Sequence, residues 1–226
     1  MRAYRDRRDA GRQLAGMLAA EYAHDADVVV LALPRGGVPV GYEIAMRMDV
    51  PLDVLVVVKL AVPGKEELAM GALAHGGACV IDSQMVARAG VSQAALDATI
   101  AEELGELDRR ERAFRGDRPP LDLRGKLAIF VDDGLASGTT MSAAIDAVRG
   151  LEPAQVVCAV PVASPQACEA VSRRADRVIS LITPRRMFAV GLWYEDFSPT
   201  TDGEIRALLD AAYARGAAAS HAAFGE

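Results

Sequence analysis

The stretch "LAIFVDDGLASGTTMSAAI", residues 127–145, decides how the chain is read. An apolar run ends in two adjacent carboxylates, Asp132 and Asp133. A loop of small residues, "GLASGTT", follows, and then an alanine-rich segment begins. Read as strand, loop and helix, it places both aspartates at the carboxyl edge of a sheet, where open α/β sheets bind ligands. Gly134, Ala136 and Gly138, with Leu135 between them, let backbone approach a ligand closely. The loop N–H groups converge, and the helix N-terminus near Thr139 adds partial positive charge. Ser137, Thr139 and Thr140 supply hydroxyl donors. The product is an anion cradle suited to phosphate. The carboxylates repel a phosphate, so they accept hydrogen bonds from sugar hydroxyls or help organise a magnesium ion through water. A ligand with a terminal phosphate and free hydroxyls is a ribose 5-phosphate. A plain strand–helix turn with an aspartate cap accounts for a bare "DDG", but less well for the whole run 129–141. Other phosphate motifs fit worse, because no lysine follows Gly138 as a P-loop requires and G-x-G-x-x-G is absent.

Outward from this stretch, short apolar runs alternate with helical patterns. Residues 27–33, 53–60, 126–132, 154–162 and 176–182 read as buried strands of a parallel sheet covered on both faces. Helices are expected over 9–23, with Leu14, Met17, Leu18 and Tyr22 on one face, and over 38–48, 139–149 and 165–174. The last opens with Pro165 behind Ser164. The fold class is α/β, a doubly wound parallel sheet.

Two pieces interrupt the rhythm. Residues 61–81 read as a glycine-rich loop and a β-hairpin. Residues 92–115 read as one long amphipathic helix with Ser92 as N-cap and Leu96, Ile100, Leu104, Leu107 and Phe114 in its stripe. Arg109, Arg110, Arg112 and Arg115 are taken as its solvated face, 116–125 as a loop, and the tail from 214 as frayed. The expected organisation is one domain over 1–226: a core at about 25–185, a helical insertion at 83–116, and a small hood formed by 183–200 with the N-terminal segment 1–24.

At 226 residues and 51% hydrophobic, the chain can bury a substantial core. A net charge of -6 argues against a broad nucleic-acid surface. No run approaches membrane-spanning length, and the N-terminus lacks an apolar signal core, so a cytoplasmic protein without membrane or nucleic-acid partners is expected. Cys79, Cys158 and Cys168 lack C-x-x-C spacing, which suits buried thiols better than disulfides or zinc.

"IFVDDGLASGTTM" resembles the phosphoribosyl-pyrophosphate signature of the type I phosphoribosyltransferases, and the likeness extends over most of residues 28–197. "LALPRGG" (31–37) resembles the family's pyrophosphate-binding first loop, "VPGKEELAMGA" (62–72) its flexible closing loop, and "FAVGLWYEDF" (188–197) the hood of its purine salvage members. "PRGGVPVG", "KLAVPGKEELAMGA" and "FAVGLWYEDF" together look most like a bacterial subgroup known only by the family's name.

The resemblance implies magnesium-dependent displacement of pyrophosphate from phosphoribosyl pyrophosphate by a nitrogenous base or amine. It also implies a homodimer, because the family often dimerises. Pro34, Arg35, Gly36 and Gly37 would meet the diphosphate, Arg35 presenting two N–H groups. Family members often carry a cis peptide in this loop, and Pro34 makes a cis Leu33–Pro34 bond inexpensive. Lys59 and Lys65 would add positive charge, Lys65 on the closing loop beside the departing pyrophosphate. Asp132 and Asp133 would serve the ribose hydroxyls, with magnesium carried chiefly by substrate oxygens. Phe188 would stack on a base, with Trp193 nearby; hood or core packing explains both equally well.

Two departures bear on the acceptor. Salvage enzymes for hypoxanthine and guanine carry an aspartate where this chain has Ala136, and a lysine in the region that here reads "CAVPVASP" (158–165). A 6-oxopurine read in the usual way is not expected. The rival readings are a regulator that binds a phosphoribosyl ligand without turnover, and a hydrolase or phosphorylase on the same ribose site.

Overall fold

The computed structural model describes residues 3–74, 78–116, 118 and 122–223. In chain order the elements are α1 (Arg7–Tyr22), β1 (Val28–Ala32), α2 (Gly37–Met48), β2 (Leu52–Val54), β3 (Val57–Val62), β4 (Lys65–Ala74), β5 (Ala78–Ile81), α3 (Ser83–Ala89), α4 (Gln93–Arg115), β6 (Leu127–Val131), α5 (Thr139–Arg149), β7 (Gln155–Val162), α6 (Pro165–Ser172), β8 (Arg177–Ile182), a 3-10 turn (Val190–Trp193) and α7 (Asp202–Ala223). Five strands form a parallel sheet in the order β2-β1-β6-β7-β8. The central strands β1, β6 and β7 are buried almost throughout, as their continuous apolar runs require.

α1 and α2 cover one face, where Leu14, Leu18, Ile44 and Met48 pack on Val30, Ile129 and Val157. On the other face Met141, Ile145, Ala167 and Val171 of α5 and α6 pack on Phe130, Cys158 and Val160. The doubly wound α/β sheet is therefore present, with helices on both sides.

The apolar run 53–60 is not one strand. It breaks at Leu55–Val56, both buried. β2 stays in the parallel sheet, while β3 turns away into an antiparallel sheet of order β3-β4-β5. That sheet, its covering helix α4, and α7, which packs on α4, α2 and β2, share a core containing Val58, Leu60, Met70, Leu73, Leu107 and Leu208. The hairpin expected within 61–81 is formed by β4 and β5, apart from residues 75–77, which lie outside the described residues, as do parts of the expected loop 116–125. What resembles a flexible loop, 62–72, is mostly the strand β4, paired with β3 from Lys65 and with β5 only from Gly71.

α4 has the expected cap, the Ala95 N–H donating to Ser92 Oγ at 3.2 Å. Leu96, Leu107 and Phe114 of its stripe are buried, and Ile100 and Leu104 pack at the edge of the same core.

Arg115 does not belong to a solvated face. It is buried and donates to Asp53 from Nε (3.0 Å), with its Nη2 2.9 Å from the second carboxylate oxygen, and to the Val54 carbonyl at 3.1 Å. This forked pair fastens the end of α4 to β2. On α1, Leu14, Leu18 and Tyr22 face the core, whereas Met17 is half exposed. The tail expected to fray from residue 214 continues as α7 to Ala223; residues 224–226 lie outside the described set. Cys79 is exposed, unlike buried Cys158, and all three cysteines are free thiols. Among the described residues no helix is long and apolar enough to cross a membrane.

Candidate active site

The parallel topology brings the loops after β1, β6 and β7 to one carboxyl edge. The loop after β6 is anchored at its centre. Leu135 is buried, donates from N–H to the Val162 carbonyl (2.9 Å) and accepts at its own carbonyl from the Ser164 N–H (2.9 Å). Ser164 Oγ donates to the Ala136 carbonyl at 2.7 Å and also accepts from the Ala167 N–H at 3.0 Å, capping α6.

With its middle fixed, the loop exposes Ala136, Ser137, Thr139 and Thr140. Ser137 Oγ and Thr139 Oγ1 lie 3.0 Å apart. Gly138 caps α5 in the left-handed region (φ 74°) with no side-chain capping bond of its own, and the Thr139 N–H donates to Ser137 Oγ at 3.3 Å, a long bond that an anion would have to displace. A Cβ at Gly138 would also lie 3.0 Å from Val171 and 3.1 Å from the Ala167 carbonyl. Glycine is required there by backbone geometry and by α6, before any ligand is considered.

The "PRGG" loop passes over the end of β6. A Cβ on Gly36 would fall 2.0 Å from Asp133 Oδ2, and one on Gly37 2.6 Å from the Val131 carbonyl. These glycines let the α2 N-terminus and the aspartate loop share one site. The cis peptide lies at Pro34–Arg35, one bond later than the expected Leu33–Pro34. Arg35 pairs with Asp202 of α7 at 2.8 Å, both side chains about half exposed.

The two aspartates differ. Asp132 accepts the Asp133 N–H at 2.8 Å. Burial, and then the charge of Asp133, push its carboxyl well above the usual carboxylate range. Burial also raises Asp133, opposed by Arg7, whose Nε donates to Asp133 Oδ2 at 2.8 Å with both side chains largely buried.

Arg7 was invisible to sequence reading, lying 126 residues from its partner. Its guanidinium also stacks 3.9 Å from the Phe197 ring centre and donates to the Ser198 carbonyl at 2.7 Å. Tyr194 Oη donates to the Asp133 carbonyl at 2.6 Å, and Tyr4 Oη to the Pro161 carbonyl at 2.7 Å. Burial pushes Tyr4 up to about 12 and raises Tyr194 as well, so both phenols act as neutral donors. Tyr4 and Tyr194 also bridge the N-terminal segment to the segment after β8.

Other expected site residues lie apart from this centre. Trp193 packs with Tyr4, Tyr194 and Phe197, while Phe188 is 86% exposed. Lys59 is exposed and donates to the Glu66 carbonyl across the hairpin. Lys65 is exposed beside the Pro63–Gly64 turn. Neither lysine lines the cleft of about 510 Å³ that runs from Leu33–Arg35 past Leu55–Val57 to Thr140, with Arg109 and Arg110 of α4 on its wall. Among the described residues no group of three or more His, Cys, Asp or Glu side chains is placed to hold a metal ion.

A β-strand, two adjacent aspartates, a pinned loop of small residues and a second glycine loop meet at one sheet edge. The family model for the phosphoribosyl transferase domain matches residues 3–195, and the chain belongs to that family. Rv0571c of Mycobacterium tuberculosis, provisionally named a phosphoribosyl transferase, is 44% identical over 213 residues. That match covers 94% of this chain and 48% of Rv0571c, so the chain spans about half the length of that relative. The crystal structure of TT1426 from Thermus thermophilus superposes with a TM-score of 0.82 at 41% identity, covering 92% of this chain and 98% of that one.

Proposed function

We propose that the protein is a magnesium-dependent pentosyltransferase that moves ribose 5-phosphate from phosphoribosyl pyrophosphate to a nitrogenous base or amine. In the reaction the C1–O bond to pyrophosphate breaks and a C1–N bond forms. The electron pair of the broken bond leaves with pyrophosphate, and the nucleophile gives up a proton. The observation that carries this reading is the pinned loop after β6. It holds a helix N-terminus and three hydroxyls next to two carboxylates, the donor and acceptor pattern of a ribose 5-phosphate.

In this reading the N–H groups of Thr139 and Thr140 and the hydroxyls of Ser137, Thr139 and Thr140 hold the 5′-phosphate. Asp132 accepts from the ribose hydroxyls. Asp133, tied to Arg7, sets the orientation of its neighbour. Arg35 exchanges Asp202 for the diphosphate, an exposed pair that is inexpensive to break. Lys65 reaches the leaving group when the hairpin tip closes. Phe188, exposed in the hood, stacks on the acceptor, and Trp193 supports the hood from within its packed cluster.

The donor set fits magnesium carried by substrate oxygens and water. A buried carboxyl raised by desolvation and by a second carboxylate gains from a nearby cation, and Asp132 or Asp133 would hold one through water. Bound there, the ion would offset the charge of the departing pyrophosphate.

The test is pyrophosphate release from phosphoribosyl pyrophosphate and magnesium across purines, pyrimidines and small amines. Turnover with one acceptor is expected. Tight ligand binding without turnover would instead indicate a regulator on the same fold. A homodimer and a cytoplasmic location are part of the proposal, checked by sedimentation and by fractionation.

A further inference from the structure

We propose that Arg109 and Arg110 of the α4 insertion form, with Arg35, the wall that binds the diphosphate end of the substrate. This rests on the phosphoribosyl reading above and adds residues from outside the sheet edge to that site. The three guanidinium groups line one cleft of about 510 Å³, which also contains Thr140 of the phosphate cradle. The cleft therefore reaches from the glycine loop to Thr140, with α4 on its wall, while Ser137 and Thr139 line a neighbouring cavity of about 480 Å³.

The charges are arranged for exchange. Three cations face two carboxylates, Glu106 and Asp202, both on the cleft wall. Glu106 divides its oxygens between the arginines: Arg109 donates to Oε2 from Nε at 2.9 Å and also from Nη2, and Arg110 Nε donates to Oε1 at 2.5 Å. It holds one edge of the Arg109 fork and the root of the Arg110 fork. Each fork has five N–H donors, so most remain to meet an anion. Asp202 holds Arg35 through a half-exposed pair that a diphosphate can displace. A diphosphate suits this wall better than a neutral ring does, because its adjacent non-bridging oxygens match several planar forks at once. A merely solvated helix face would not place two arginines in the cleft that holds Arg35 and Thr140. Arg112, exposed on the same helix, is not on the cleft wall and serves as the control.

The experiment is calorimetry with magnesium present, using inorganic pyrophosphate, phosphoribosyl pyrophosphate and ribose 5-phosphate as probes. The variants are Arg109→Ala/Arg110→Ala together, and Arg112→Ala. The double variant should bind pyrophosphate and phosphoribosyl pyrophosphate about 10- to 100-fold more weakly, the size expected for losing charge-assisted hydrogen bonds. It should keep ribose 5-phosphate binding and the wild-type melting temperature, and Arg112→Ala should bind all three probes as wild type does. Unchanged pyrophosphate binding in the double variant would overturn the proposal, as would an equal loss of ribose 5-phosphate. Wild-type protein that binds neither sugar phosphate would bring down the phosphoribosyl reading itself, and this proposal with it.

Discussion

The chain leaves the parallel sheet at its carboxyl edge after β6 and again after β2, and it builds the two exits in opposite ways. After β6, the middle of the loop is buried and bonded to β7 through Leu135, while Ser164 and Gly138 lock it against α6. After β2, the chain runs out into the β3–β4 hairpin, whose ladder shifts register around Ala61 and whose turn, Pro63–Gly64, is exposed. A phosphate cradle must be rigid before the ligand arrives, because ordering it on binding would cost affinity. A group that meets only the leaving charge gains from sitting on an element that closes late. On the proposed function, the first exit would serve binding and the second rate.

The largest expected effect tests the rigid side. Arg7→Ala leaves Asp133 without its partner in a largely buried setting, and breaking such a pair costs about 3 kcal/mol. Urea denaturation at neutral pH should show that loss, with Arg7→Lys recovering part of it. A loss below about 0.5 kcal/mol, ordinary for a surface change, would mean the aspartate loop is not held from α1.

The hairpin side comes next. Lys65→Ala should lower kcat roughly 10²-fold while phosphoribosyl-pyrophosphate affinity and stability change little, because the contact forms mainly in the transition state. Steady-state kinetics with the productive acceptor checks it. A normal kcat would move the role to the arginines of the cleft. Gly36→Ala follows, at roughly 1–3 kcal/mol of stability, since its methyl would collide with Asp133 Oδ2 and one of the two loops must shift. Thermal melting would register the loss, and ribose 5-phosphate binding should weaken with it. Unchanged values for both would show that the two loops are looser than their contact distance implies.

How much of this was legible follows the same division. The five parallel strands are readable because each is a short apolar run bounded by turn residues, and the cradle is readable because its function is written in consecutive residues. The break at Leu55–Val56 is not, since a continuous apolar run gives no periodicity that changes when the chain switches sheets. The Asp53–Arg115 and Asp133–Arg7 pairs join residues far apart in sequence, and a lone arginine at either end reads as surface. α7 did leave a signal. Thr201 stands three residues before Glu204, whose N–H donates to Thr201 Oγ1 at 3.2 Å, and Ile205, Leu208, Leu209 and Ala212 repeat at helical spacing. The lining of the cleft by α4 arginines depends on how α4 docks, which its own amphipathic pattern leaves open.

The smallest expected effect separates the two aspartates themselves. Burial and Asp133 hold the Asp132 carboxyl well above its unfolded value, so near neutral pH the native state without ligand binds more protons than the unfolded state. For an acid raised in this way, the stability contribution is complete below the unfolded pKa, near 4, and is lost as pH rises through the folded value. Asp132 is therefore a cost to the stability of the protein at pH 8. Asp132→Asn removes that cost and also relieves the repulsion on Asp133. The variant should melt roughly a few degrees above wild type at pH 8, with the gap closing as pH falls toward 4. It should also bind phosphoribosyl pyrophosphate more weakly, because an amide offers one acceptor oxygen where the carboxylate offers two. Thermal melts across that pH range, with calorimetry at pH 8, decide it. A variant less stable than wild type at pH 8 would mean that the Asp133 N–H bond to Asp132 outweighs the strain of the paired charges. The loop after β6 would then owe its rigidity to the aspartates as much as to Leu135 and Ser164.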